Sequence, residues 1–170
     1  MSRDLKLYEA LEQRREYKRI IRTFEQVQPE NRVDRWGERN NERPVKEIYI
    51  DDADDRIQAA KFKLHKLNEA IQIANRNNTI VYDRKEISIA TALELRKEIK
   101  IELEELEDNL PNTAYYEVKY KSEGENEKVM PYRDYEEMRS KYLSKLEKFR
   151  KLNFALRQAQ YKIEVDFKAE

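Results

Sequence analysis

The sequence predicts an all-α fold with one small β-hairpin, an antiparallel, coiled-coil-like helical bundle that is oligomeric. Three observations predict it. Apolar residues recur every seven positions in four long segments of the 170-residue chain. Charged side chains make up 41% of it, as the solvent faces of long amphipathic helices require. Only 2 glycines and 4 prolines interrupt it, so few positions force a turn.

The first helix is expected over about 4–28, where Leu7, Arg14, Ile21 and Gln28 form one row beside Ala10, Tyr17 and Phe24. The second is expected over about 54–79, with rows Ile57, Leu64, Ile71, Asn78 and Ala60, Leu67, Ala74. Asp54 or Asp55 is suited to cap it. The third is expected over about 88–110, with Ile89, Arg96, Leu103, Leu110 beside Ala92, Ile99, Leu106. Ser88 is its expected cap and Pro111 its stop. The fourth is expected over about 132–164, with Tyr135, Tyr142, Phe149, Leu156, Ile163 beside Met138, Lys145, Leu152, Ala159.

The connectors differ in kind. A long connector spans 29–53 and carries Pro29, Gly37 and Pro44, with Val45–Ile50 as a candidate short strand. Residues 113–130 read as a β-hairpin, because Tyr116, Val118 and Tyr120 alternate with charged residues before the turn at Glu123–Asn126. The loop at 80–87 is short, which makes the second and third helices antiparallel neighbours. The expected organisation is a single helical domain over 1–170.

Composition narrows the function classes. Thirty-five basic and 35 acidic side chains cancel, so the net positive charge of a nucleic-acid or anionic-membrane binder is missing, and neither partner is expected. The chain has no cysteine, which excludes disulfides, thiolate catalysis and Cys-ligated zinc. The opening Met1–Leu5 lacks an apolar signal region, and no apolar run approaches the ~18 residues of a membrane span. The expected compartment is the cytoplasm. No phosphate loop, dinucleotide fingerprint, nucleophile elbow or metalloprotease helix occurs, and no cofactor is expected.

The most informative positions are those where the apolar rows fail. Arg14 stands between Leu7 and Ile21, Arg96 between Ile89 and Leu103, and Asn78 continues Ile57, Leu64, Ile71, with Asn75 beside it. A buried arginine or asparagine is costly unless paired. Asn75 lies shortly before the 80–87 loop and Arg96 about two turns after it. In an antiparallel pair their offset is ~5 Å, within reach of an arginine. Either these residues set the register of a bundle, or they line a polar, positive pocket inside it.

Leu7-Tyr8-Glu9-Ala10-Leu11-Glu12-Gln13-Arg14, Asn75-Arg76-Asn77-Asn78 and Ala92-Leu93-Glu94-Leu95-Arg96 resemble the septicolysin-like family of small bacterial helical proteins. Members open with an L-x-E-A-L-x-x-R stretch. They end one helix on I-N-x-T-N and continue with D-G-x-T-[LI]-x-x-A-L-A-x-R. The spacing from Asn75 to Arg96 fits without gaps, and the match covers most of the chain outside 29–53. It departs where Lys85-Glu86 replace Asp-Gly and where Ala74–Asn78 replaces I-N-x-T-N. The resemblance implies a helical fold with a hairpin after the third helix and brings no settled activity.

Other candidates are weaker. Trp36 lies among Arg32, Arg35, Arg39 and Arg43, but Asp34, Glu38 and Glu42 interleave as in an ion-paired surface segment. Asp51, Asp52, Asp54 and Asp55 lack EF-hand spacing and suit a helix N-terminus instead. The single His65 has no evident partner. The function expected from these residues is non-enzymatic: a homo-oligomeric binding protein that holds a small anionic or nucleotide-like ligand on Arg14, Asn75, Asn78 and Arg96. Arg76, Tyr116 and Tyr120 are secondary candidates, and no metal ligand is expected. Such a protein sequesters a signalling molecule in the manner of phage counter-defence proteins. The alternative is a structural or protein-interaction coiled-coil module with no small-molecule ligand.

Overall fold

A computed structural model describes residues 5–28, 46–120, 126–131 and 133–168. In chain order the elements are β1 (Leu5–Lys6), α1 (Leu7–Glu25), α2 (Ile48–Asn77), β2 (Thr79–Tyr82), β3 (Lys85–Ser88), α3 (Ile89–Thr113), β4 (Glu117–Tyr120), β5 (Asn126–Val129), α4 (Tyr135–Lys162) and β6 (Glu164–Val165). The strands make three antiparallel pairs, β1 with β6, β2 with β3 and β4 with β5. The fold is all-α with small strand pairs, as the heptads predict. Among the described residues no helix is long and apolar enough to cross a membrane. The chain divides into two compact units, Met1–Asn78 with Gln160–Glu170, and Thr79–Ala159.

In the first unit α1 and α2 run antiparallel. Near the end of α1, Glu25 meets Lys61 at 3.5 Å, and the Arg56 guanidinium lies 5.3 Å from the Phe24 ring centre. Just beyond it, the Gln28 amide donates to Asp54 at 2.7 Å. Their interior holds Leu7, Ala10 and Tyr17 from α1 and Ala53, Ile57, Ala60, Leu67, Ile71 and Ala74 from α2. The three-four spacing on α2 is that of a coiled-coil seam. A clasp closes the unit. Leu5 pairs with Val165 and Lys6 with Glu164, and the Leu7 N–H donates to the Ile163 carbonyl at 2.8 Å. Ile163, Val165 and Phe167 are buried while Glu164, Asp166 and Lys168 are exposed, the two-residue period of a half-buried strand. The Glu9 carboxylate accepts the Lys6 N–H at 2.8 Å and satisfies a free donor at the start of α1.

In the second unit α3 and α4 are antiparallel neighbours. Glu102 pairs with Lys145, and the Tyr142 hydroxyl donates to Glu107 at 3.0 Å, so progress along α3 is regress along α4. Ile89, Ala92, Ile99 and Leu103 are buried on α3, and Met138, Leu152, Leu156 and Ala159 on α4. The Ser88 hydroxyl accepts the Thr91 N–H at 3.0 Å and caps α3 as its sequence predicts.

Several boundaries are corrected. The 80–87 segment is not a plain loop but the hairpin β2–β3, whose two turn residues Asp83 and Arg84 have φ of 49° and 63°. Two successive positive φ values make the turn whose twist matches a hairpin, normally written Asn-Gly. Its absence from the sequence hid the hairpin. Residues 46–50 of the candidate strand Val45–Ile50 do not form one, since α2 already starts at Ile48, within the expected 29–53 connector, and Val45 lies outside the described residues. Tyr49 and Ile48 are exposed and have no strand to pair with among the described residues, and the helix that follows extends backwards through them. Its cap position is Glu47 rather than Asp54 or Asp55. Pro111 does not stop α3, which runs on to Thr113. Proline forfeits its own N–H bond, but its fixed φ is helical and allows the last turn. The fourth helix ends at Lys162, where the alternation of Ile163–Phe167 takes over. The hairpin expected over 113–130 is β4–β5, with Glu117 opposite Val129 and Tyr120 opposite Asn126. The helices α2 and α3 belong to different units, and α2 takes α1 as its partner within its own.

Candidate functional site

A heptad position faces its neighbour helix whatever residue occupies it, so a cation there must find a counter-charge or reach out to water. Among the described residues three such cations occur. Lys145 lies in the α4 row between Met138 and Leu152, is half-buried, and is neutralised by Glu102 of α3. Arg14 lies in the α1 row between buried Ala10 and buried Tyr17 and is itself half-buried. Arg96 lies in the α3 row between buried Ala92 and buried Ile99 and is half-buried as well. Among the described residues neither arginine makes a side-chain hydrogen bond or an ion pair. A guanidinium is always charged at physiological pH and presents a planar fork of donors that matches phosphate and carboxylate oxygens. Half-buried and unpaired, such a group has the chemistry of an anion receptor.

The asparagines differ from each other. Asn78 closes α2: its backbone N–H and its side-chain amide both donate to the Ala74 carbonyl, at 3.1 and 2.8 Å. That is the work of a helix end, and it leaves the Asn78 carbonyl oxygen for other partners. Asn75, one turn earlier, is half-buried and makes no side-chain hydrogen bond among the described residues. Arg76 beside it is exposed. Arg14, Asn75, Asn78 and Arg76 belong to the first unit and Arg96 to the second, so Asn75 and Arg96 do not share a unit.

Tyr116 is exposed at the start of the β4–β5 hairpin, with the Lys128 ammonium 5.0 Å from its ring centre. The side chain of Tyr120 lies outside the described residues, as do Trp36 and its flanking arginines. His65 is exposed on α2. The acidic start of α2 is engaged structurally, with Asp52 on Arg56 at 2.8 Å and Asp54 on Gln28. Among the described residues no three His, Asp or Glu side chains cluster as a metal site would need.

A shallow groove runs along α1 past Tyr8, Glu12, Gln13, Arg15, Glu16 and Arg19. Sequence reasoning did not anticipate it. The Gln13 amide donates to the Tyr17 hydroxyl at 3.1 Å, while its own Oε1 is buried without a hydrogen-bond partner. Burial, and next the nearby Glu16 carboxylate, push the Tyr17 phenol above its ordinary range against the smaller opposing effect of Gln13. Opposite charges alternate along the groove, and Arg15 is already neutralised by Glu12 at 2.6 Å. No protein-family model, no curated protein and no solved structure matches the chain.

Proposed function

We propose that the protein is a non-enzymatic, oligomeric binding protein that holds a small anionic or nucleotide-like ligand at its seam arginines, Arg14 on the seam of the first unit and Arg96 on that of the second, and so sequesters it. Asn75 supplies a neutral hydrogen-bonding edge, and Asn78 contributes its remaining carbonyl oxygen. The observation that carries the reading is the contrast with Lys145. The same helical surroundings give that cation a carboxylate, yet Arg14 and Arg96 have none among the described residues. A half-buried guanidinium without a counter-ion is costly, and an external anion is the simplest remedy. The reading is non-enzymatic because the row neighbours of Arg96, Ala92 and Ile99, are aliphatic, and the one polar neighbour of Arg14, the Tyr17 phenol, is buried, hydrogen-bonded to Gln13 and pushed above its ordinary range. Kinship with septicolysin-like proteins is proposed on the motifs at Leu7–Arg14, Asn75–Asn78 and Ala92–Arg96 and adds no activity.

A second reading, a structural or protein-interaction module, is favoured by Ile48, Phe62, Val81, Phe154 and Tyr161, each more than half exposed. Mass spectrometry of small molecules released from the purified protein by denaturation tests the first reading directly. Thermal melts of wild type and Arg96→Ala in phosphate, sulfate and chloride separate the two. Stabilisation of the wild type by phosphate or sulfate that disappears in Arg96→Ala supports ligand binding. Absence of anion dependence, with a loss of about 3–5 kcal/mol in the variant, would mean that Arg96 has an internal partner and leave the structural reading.

A further inference from the structure

The buried row Ile57, Ala60, Leu67, Ile71 and Ala74 accounts for one side of α2. On the opposite side stand Phe62, Lys66, Glu69 and Ile73. At about 100° per residue these four fall within a stripe about 60° wide, roughly half a turn around the helix from the core row. Phe62 is 57% exposed and Ile73 51%, so both ends of the stripe present apolar surface to solvent. The Lys66 ammonium lies 4.5 Å from the Phe62 ring centre, so this side chain folds along the stripe. Among the described residues neither Lys66 nor Glu69 makes an ion pair or a side-chain hydrogen bond. Elsewhere, neighbouring charges on one helix do close on each other: Glu12 with Arg15, Asp52 with Arg56 and Lys100 with Glu104.

The stripe is self-complementary. Its spacing reads four, three, four from either end, with apolar residues outside and opposite charges inside. Laid antiparallel on a second copy about a two-fold axis, Phe62 meets Ile73 and Lys66 meets Glu69, twice over. A parallel alignment would set Lys66 against Lys66 and Glu69 against Glu69, which is repulsive. Leu143, Glu147, Arg150 and Phe154 repeat the same spacing on α4, but there Glu147 is already held by Lys151 at 2.6 Å. On α2 both charges stay open.

We propose that the outer face of α2 is a homotypic docking surface on which a second copy of this chain binds antiparallel through Phe62, Lys66, Glu69 and Ile73. The proposal rests on the oligomeric half of the reading above and not on the ligand. With four apolar anchors and two ion pairs, the contact belongs to the small, concentration-dependent class of interfaces.

The test uses the full chain, and every substituted side chain lies on the surface. Sedimentation equilibrium should give multiples of the 20.7 kDa chain mass that increase with concentration. Phe62→Glu should weaken association at least tenfold. Lys66→Glu and Glu69→Lys should each weaken it, and the double swap should restore it to near the wild-type value. Since the chain has no cysteine, Phe62→Cys and Ile73→Cys chains mixed together should join as heterodimers through a short bismaleimide, while neither joins to itself. A Phe62→Cys chain that crosslinks to itself, or preferentially to a Leu143→Cys chain, overturns the antiparallel contact. Oligomers indifferent to all these changes overturn the proposal and leave oligomerisation standing. A monomer at every concentration overturns both.

Discussion

Along α1 and α2 the buried positions are small or aliphatic apart from Tyr17, with Ala10, Ala53, Ala60 and Ala74 spaced between Leu7, Ile57, Leu67 and Ile71. Between α3 and α4 the mid-length of α4 presents Tyr142, Lys145 and Phe149, all half-buried, and two polar contacts bridge the helices there. Alanine lets backbones approach closely and leaves little room for a polar side chain. Long side chains hold the seam wider, and their polar ends meet at its rim. The first arrangement stores its stability in packing, which is felt methylene by methylene. The second places part of its contact in partly exposed charge pairs, which are weak in water. Among the described residues the largest fully buried side chain of the second unit is Leu152, as Leu67 is of the first.

Substitutions and solution conditions sharpen that contrast. Leu67→Ala and Leu152→Ala should each cost about 2–5 kcal/mol in chemical denaturation, since each is fully buried. A much smaller loss at Leu152 would show that the α3–α4 seam collapses around the deletion more easily. Ala60→Leu should cost about 1–3 kcal/mol, because the α1–α2 seam has no room for three added carbons. Arg84→Gly should raise stability by up to about 1 kcal/mol, because glycine adopts the positive φ of that turn without strain. Lys145→Ala should cost less than about 1 kcal/mol, and added salt should shrink the difference from wild type further.

The smallest effect is at alkaline pH. Burial is the largest cause pushing both Tyr17 and Tyr82 above the ordinary phenol value of 10.0, with the carboxylates of Glu16 and Asp83 adding to it. A phenol whose folded pKa lies above its unfolded one stabilises the fold fully below the unfolded value. That contribution fades as pH rises through the folded value. Melting temperatures followed upward from about pH 9 should therefore decline less steeply in Tyr17→Phe and Tyr82→Phe than in the wild type. Parallel slopes would show that neither phenol is shielded in solution.

The legible part of the fold was its periodicity. A seven-residue repeat is a local property, and Ile57, Ala60, Leu67, Ile71 and Ala74 declare an inward face before any partner is known. Ser88 and the alternation at 116–120 were legible for the same reason, since a cap and a hairpin strand act within a few residues. Asp83-Arg84 was not, because its turn geometry is usually written with glycine and here is imposed by the pairing of Ile80 with Ile87 and Tyr82 with Lys85. The alternation of Ile163, Val165 and Phe167 is present in the sequence, but Ile163 also completes the heptad row of the fourth helix, which carries the expected helix to 164. Ile48 and Tyr49 read as strand because β-branched and aromatic residues favour strands, a weak preference that yields to the helix continuing through them.

The same division runs through the candidate site. The sequence by itself determined that Arg14 and Arg96 occupy inward rows, that four helices are amphipathic and that no thiol chemistry exists, because each is a matter of residue type and spacing. Only the tertiary structure decided that Lys145 has Glu102, that Asn78 is engaged by Ala74, and that Leu5 and Lys6 pair with Glu164 and Val165. Those facts depend on which segments meet across more than thirty residues of chain, or at the end of one helix, where the backbone must find a partner for its last carbonyls. Periodicity states which side of a helix seeks company, and packing alone chooses the company.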